Sequence, residues 1–203
     1  MRIGASRPAA LVALICLAGV VLLPAERALA LTAIELSLKQ LVAASTLVLE
    51  ARPSESLGVW EDTDGIRSRR IVTYTRLDVL DVLDGRTPGE PVWVRTLGGR
   101  VGDIGQQVEG EAVLAGKQPA TFFLKRRPDG TYVIVGMAQG HYVIEAPSGR
   151  TTERRTLRPL RIDALVPRLG HTLGEPDAAR VAVTGKTIAE VRALIAKERA
   201  NAR

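Results

Sequence analysis

The chain has 203 residues, 46% of them hydrophobic and 25% charged, with a formal net charge of +6. That length suits one sizeable domain or two small ones, and the composition excludes long disordered tracts and fibrous repeats. Aromatic residues at 3% and a single Cys exclude a disulfide scaffold, a multi-Cys metal site and a Trp/Tyr-rich binding face.

The first thirty residues have the pattern of a signal peptide. Arg2 and Arg7 form a basic start, Ala9 to Leu23 carries no charge, Pro24 breaks the run, and Ala28-Leu29-Ala30 offers a small–x–small cleavage pattern. The apolar stretch falls short of the roughly 20 residues that a membrane span needs, so membrane attachment is expected only through an uncleaved leader. Ile15 before Cys16 is not the small residue that a lipoprotein signal requires, so Cys16 fills the apolar segment. The mature chain is expected to begin at Leu31, to contain no Cys, and to be exported to the periplasm or secreted. Arg2, Arg7 and Arg27 against Glu26 leave with the leader, and the mature chain keeps a net charge of +4. Core packing alone must then hold the fold, which this length permits.

Ser37 and Gln40 form a capping-box pattern, and Leu38, Leu41 and Val42 recur at helical spacing, which predicts a short helix over 37–45. A β-type run follows over 46–52, with Pro53 as its interruption and Asp62, Asp64 and Gly65 as a turn. From Arg67 to Leu83, Ile71, Thr73, Thr75, Leu77 and Val79 fall on one face of a long strand. The alternation slips at Val79-Leu80 and again at Val82-Leu83, so either a β-bulge bends the strand or it breaks in two. Asp84-Gly85 and Pro88-Gly89 mark the next turn. Further strands are predicted at 92–97, at 122–125 joined through Pro128-Asp129-Gly130 to 132–135, and at 141–144. Five or six strands spaced by turns point to a small, mainly β, antiparallel barrel. Residues 147–176 carry six arginines (Arg150, Arg154, Arg155, Arg158, Arg161 and Arg168) with little periodicity and read as a connector. Thr187 and Glu190 then open a final helix whose Ile188, Val191, Leu194 and Ile195 stripe is expected to dock on the barrel.

The block Val94-Arg95-Thr96-Leu97-Gly98-Gly99, followed by Val101-Gly102-Asp103-Ile104-Gly105-Gln106, resembles an uncharacterised family of exported bacterial β-barrel proteins. Val79 to Gly85 and Val135 to Gly140 extend that resemblance, which spans roughly residues 36–145. The layout also resembles, at the level of fold, netrin-like modules and the tissue inhibitors of metalloproteinases. That likeness implies an OB-like barrel over about 46–146, behind a leading helix and before a C-terminal one. Those inhibitors reach the protease zinc through a Cys at the mature N-terminus. Leu31 stands at that end here, so their mechanism does not transfer, and fold alone does not imply function.

Five glycines fall within thirteen residues from Gly98 to Gly110. In a loop, Gly99, Arg100, Gly102, Asp103, Gly105, Gln106 and Gln107 could bring amides and polar side chains up to a ligand; the plainer alternative is a long connection whose glycines permit positive φ. The Gly-Lys-[Ser/Thr] of a phosphate loop is missing, and so is G-x-S-x-G. His141 and His171 are the only histidines and stand thirty positions apart, which supports neither a metal site nor a catalytic set. No cofactor and no metal is expected. Export and the shortage of aromatics argue against nucleic acid, leaving a protein or an anionic envelope polymer as candidate partner for the glycine-rich loop or the arginines. The sequence therefore favours an exported, non-catalytic binding or structural module over its alternative, a hydrolase using carboxylates such as Asp103 near that loop.

Overall fold

Both helix starts are built as their sequences specify. In the computed structural model, which describes residues 33–63, 69–87, 89, 91–145, 156–160, 162 and 165–202, Ser37 caps helix α1 (Leu38–Ala44). Its hydroxyl accepts from Gln40 N, while the Gln40 side chain accepts from Ser37 N. A five-residue helix α2 (Ala179–Val183) precedes α3 (Ile188–Asn201), where Thr187 and Glu190 form the same reciprocal box. The leader at 1–30 with Cys16, the turn at Asp64-Gly65, Pro88, and Arg150, Arg154, Arg155 and Arg161 lie outside the described residues.

Eleven strands occur among the described residues, and the fold is mainly β. They are β1 (Ala33–Ile34), β2 (Leu47–Asp62), β3 (Arg69–Gly85), β4 (Val92–Leu97), β5 (Gly99–Val101), β6 (Ile104–Gln106), β7 (Ala120–Arg126), β8 (Tyr132–Ile134), β9 (His141–Glu145), β10 (Thr156–Pro159) and β11 (Leu165–Val166). Seven of them form one sheet in the order β10-β9-β7-β2-β3-β4-β8, and a further β7–β8 pairing closes β2, β3, β4, β8 and β7 into a ring. Every pairing in this sheet is antiparallel except the short parallel contact of β4 with β8 at Val94 and Tyr132. β1 and β11 pair in parallel beside it.

The phase slips of β3 are bulges. Opposite β2, Leu83 is the extra residue between the pairs Val48–Asp84 and Leu49–Val82, and Leu80 is the extra residue between Glu50–Asp81 and Ala51–Val79. A third irregularity sets Ser54 and Glu55 of β2 against Arg76 alone. Bulges bend a strand and increase its twist, so β3 continues unbroken around the ring. Pro53 does not end β2, contrary to expectation. It lies just past the last β2–β7 pair, Ala51–Ala120, where β2 has become an edge strand and a missing N–H is tolerated.

Two apolar cores lie on opposite sides of the ring wall. Leu47, Leu49, Ala51, Leu77, Val92, Val94, Phe122, Leu124, Tyr132 and Ile134 form one. Val48, Phe123 and Tyr142 face the other, where they meet Leu38, Leu41 and Val42 of α1 and Val191 and Ile195 of α3. The α3 stripe therefore docks as its spacing implies. Two arginines of the same helix clamp the bulged end of β3: Arg192 donates to Asp81 Oδ2 at 2.6 Å and to the Val82 carbonyl at 2.8 Å, and Arg199 donates to Asp84 Oδ2 and to the Ser45 carbonyl.

Two stretches differ from expectation. The glycine-rich connection is a β-hairpin, β5–β6. The connector contains β10, which extends the sheet beyond β9. Their strands are only three and four residues long, too short for alternation to be visible in the sequence.

Removing core methyls from α3 should cost more than removing its cap. Ile195→Ala is expected to destabilise the protein by about 3 kcal/mol and Thr187→Ala by about 1 kcal/mol, and urea denaturation of the two variants checks that order.

Candidate functional site

The inner face of the β2–β3–β4 ribbon changes chemistry along its length. Near the middle of the ring, Leu77 and its neighbours Val92 and Val94 are fully buried and apolar. One step further along the same faces stand Thr75, Thr96, Thr73 and Ser56, because Thr75 pairs with Val94 and Ser56, and Thr73 with Thr96 and Gly58. Thr75 and Thr96 are buried. The hydroxyls are satisfied locally: Ser56 and Thr75 bond to each other at 3.1 Å, and Thr73 donates to the Gly98 carbonyl at 2.7 Å.

These residues floor an open cleft of about 530 Å³. One wall is β2 from Pro53 to Gly58, the other is the irregular segment from Ala112 to Lys117, and Gly98 to Arg100 form one end. Among the described residues, Arg100 and Lys117 are the only charged ones lining it. A carboxylate holds the second wall in place. Glu111 accepts from Leu97 N at 3.1 Å and from Ala112 N at 3.0 Å, which ties the segment to the end of β4. Burial pushes the Glu111 carboxyl above the ordinary carboxylate range, and those two amides draw it part of the way back.

The opposite face of the ribbon is braced by charge. Arg95, on the face of β4 turned away from the cleft, pairs with Glu61 of β2 across β3, with Nε to Oε1 at 3.0 Å, and Arg70 Nε donates to Glu61 Oε2 at 2.9 Å. The Arg95 and Arg70 bonds hold the Glu61 carboxyl below its usual range, against the opposing effect of burial. A bidentate guanidinium on a carboxylate fixes orientation as well as distance, so this brace holds the two outer strands at a set separation.

Of the seven residues singled out in the glycine-rich block, Gly99 and Arg100 line the cleft and the other five do not. Gly102 and Asp103 form the exposed turn of the hairpin, and Gly105 and Gln107 are exposed beside it. Gln106 serves the scaffold. Its side-chain oxygen accepts from Ile71 N at 2.6 Å, completing the β3 edge where Gly98 N donates to the Ile71 carbonyl. Gly98, Gly99, Gly102 and Gly110 all have positive φ, the conformational use that glycine allows at no steric cost. Sequence reasoning does not find the cleft hydroxyls of Thr73, Thr75 and Thr96. Their signal is hydroxyls at inward positions of otherwise apolar strands, and it gathers into a site only once the register is known.

His141 lies in a strand with its ring stacked on Phe122, centroids 4.7 Å apart. Burial lowers its pKa from 6.5 to about 4. His171 is exposed and sits 2.7 Å from Glu175. No cluster of three or more His, Cys, Asp or Glu able to hold a metal occurs among the described residues, and none of their helices is long and apolar enough to cross a membrane. The chain matches no protein-family model, no curated protein and no solved structure.

The buried imidazole makes a pH prediction. Below pH 6.5 the unfolded chain takes up a proton at His141 that the folded chain refuses until about pH 4. Stability must therefore fall as the pH drops through that window, by about 3 kcal/mol at most from this group. In urea denaturation from pH 7.5 to 4, His141→Phe, which keeps the stack on Phe122, is expected to lose that part of the slope.

Proposed function

We propose that this protein is an exported, non-catalytic binding module of the bacterial envelope or secretome, built on an OB-like barrel, and that its ligand lies in the hydroxyl-lined cleft. The ring order supports the barrel. Numbered within the ring, the strands run first, second, third, fifth, fourth and back to first, with the single parallel contact between third and fifth. That is the order of a five-stranded Greek-key barrel, a fold that binds polymers across the face of its second and third strands. In this chain those strands are β3 and β4, and they carry Thr73, Thr75 and Thr96.

The observation that carries the reading is the floor of the cleft. A barrel interior is ordinarily filled by apolar side chains, and a buried hydroxyl costs free energy unless it is hydrogen-bonded. Here hydroxyls replace the apolar residues where the ring opens, beside exposed main chain and two cations. Polar groups converging in a concave, pre-formed site are the usual mark of ligand recognition. Export rests on the leader pattern at 1–30.

Two outcomes are expected. Mass spectrometry of the exported form should find Leu31 at the N-terminus; a retained Met1 in the membrane fraction overturns cleavage. Val113→Trp, at an exposed position of the second cleft wall, should leave the thermal midpoint within a few degrees. It should also abolish the amide-shift changes that a bound ligand causes at Thr73, Thr75 and Thr96.

A further inference from the structure

The cleft opens where two paired strands part. β2 pairs with β7 from Leu47–Leu124 as far as Ala51–Ala120. From Arg52 to Asp62, β2 keeps β3 on one edge, and no strand among the described residues pairs with the other. The chain leading into β7 leaves β2 at this fork. Among the described residues, the main-chain groups from Val113 to Gln118 make no hydrogen bond. Along both walls of the cleft, at Pro53–Gly58 and Val113–Lys117, main-chain groups are therefore left without a main-chain partner. At its far end, β5 crosses β2 so closely that a Cβ on Gly58 would run into the Arg100 carbonyl.

We propose that the ligand of this cleft is an extended, acidic polypeptide segment that adds as a strand to the free edge of β2 between Pro53 and Gly58. The proposal rests on the binding-module reading above and names its ligand. Pro53–Gly58 spans about 17 Å at the usual rise of a strand, room for five or six residues. Strand addition takes its affinity from main-chain hydrogen bonds and its selectivity from alternate side chains. The floor and walls offer small hydroxyl and apolar neighbours for those side chains, with Val113 71% exposed on the second wall. Charge decides the sign. Among the described residues, Arg100 and Lys117 line the cleft and no acid does, and Lys117 makes no ion pair. An unprotected strand edge invites uncontrolled pairing. This one is shielded at its two ends, by Pro53 at the fork and by β5 at Gly58, so only an extended segment of limited length fits.

The test uses the full chain and a phage-displayed random dodecapeptide library. Enriched peptides are expected to be rich in Asp, Glu and β-branched residues, and to slow amide exchange at 54–58 and 113–118. N-methylation of alternate peptide amides should weaken binding at least tenfold. Lys117→Glu, an exposed change, should weaken the same peptides by a similar factor while leaving the thermal midpoint unchanged. Peptides that bind without protecting those amides, or that ignore N-methylation, overturn the proposal. If no peptide is enriched but maltohexaose or soluble peptidoglycan glycan strands protect the same amides, strand addition is overturned and the cleft remains a binding site. If neither class protects them, both readings fall.

Discussion

The structure depends on β2 and β7 being buried on both faces where they pair. Over Leu47–Ala51 and Ala120–Leu124 neither strand has a solvent face: odd residues of β2 enter the ring interior, and Val48 meets the helices outside. Strands covered on both sides lose the usual alternation and become continuous apolar runs, as in Leu47-Val48-Leu49 and Phe122-Phe123-Leu124. A core on each side of one wall lets α1 and α3 dock without enlarging the ring. It also makes the ring and the helices a single stability problem, because Phe123 and Tyr142, both buried in the outer core, belong to sheet strands.

The same wall determines where the molecule opens. A strand buried on both faces and paired on both edges has nothing left to offer a partner, and β2 is in that state only as far as Ala51. Past the fork it keeps β3 alone, its inner face turns from Leu and Ala to Ser and Gly, and the bulge at Ser54-Glu55 bends it. Cleft and core are thus two lengths of one pair of strands. What keeps the free length from collapsing is bracing from outside the cleft: Arg95 on Glu61 on the far side of the ribbon, and Glu111 on the amides of Leu97 and Ala112.

How much of this was legible follows from the range of each interaction. The helix caps were fully legible, because Ser37 with Gln40 and Thr187 with Glu190 act within one turn. The bulges were legible as slips in alternation at Leu80 and Leu83, since a bulge changes which face each later residue takes. Ring closure was not: it depends on one parallel contact at Val94 and Tyr132, and no local preference encodes a partner 38 positions away. The site was hidden for the same reason. Thr73 and Thr75 were visible on one face of β3, but only register brings Thr96 from β4 and Ser56 from β2 beside them.

Four of the five glycines between Gly98 and Gly110 have positive φ, and the block also packs its hairpin onto the ribbon. Its density left open either amides brought up to a ligand or a long connection with positive φ, and in the fold Gly99 mediates contact between strands. Gly99 lies where a Cβ would collide with the Thr73 hydroxyl, and Gly58, outside the block, lies where one would collide with the Arg100 carbonyl. The two absences are complementary: each lets β5 settle onto the ribbon, one from the hairpin side and one from the ribbon side. An alanine at either position would lift the hairpin from the ribbon, and with it the closed end of the cleft. These glycines therefore set the shape of the slot through packing between strands.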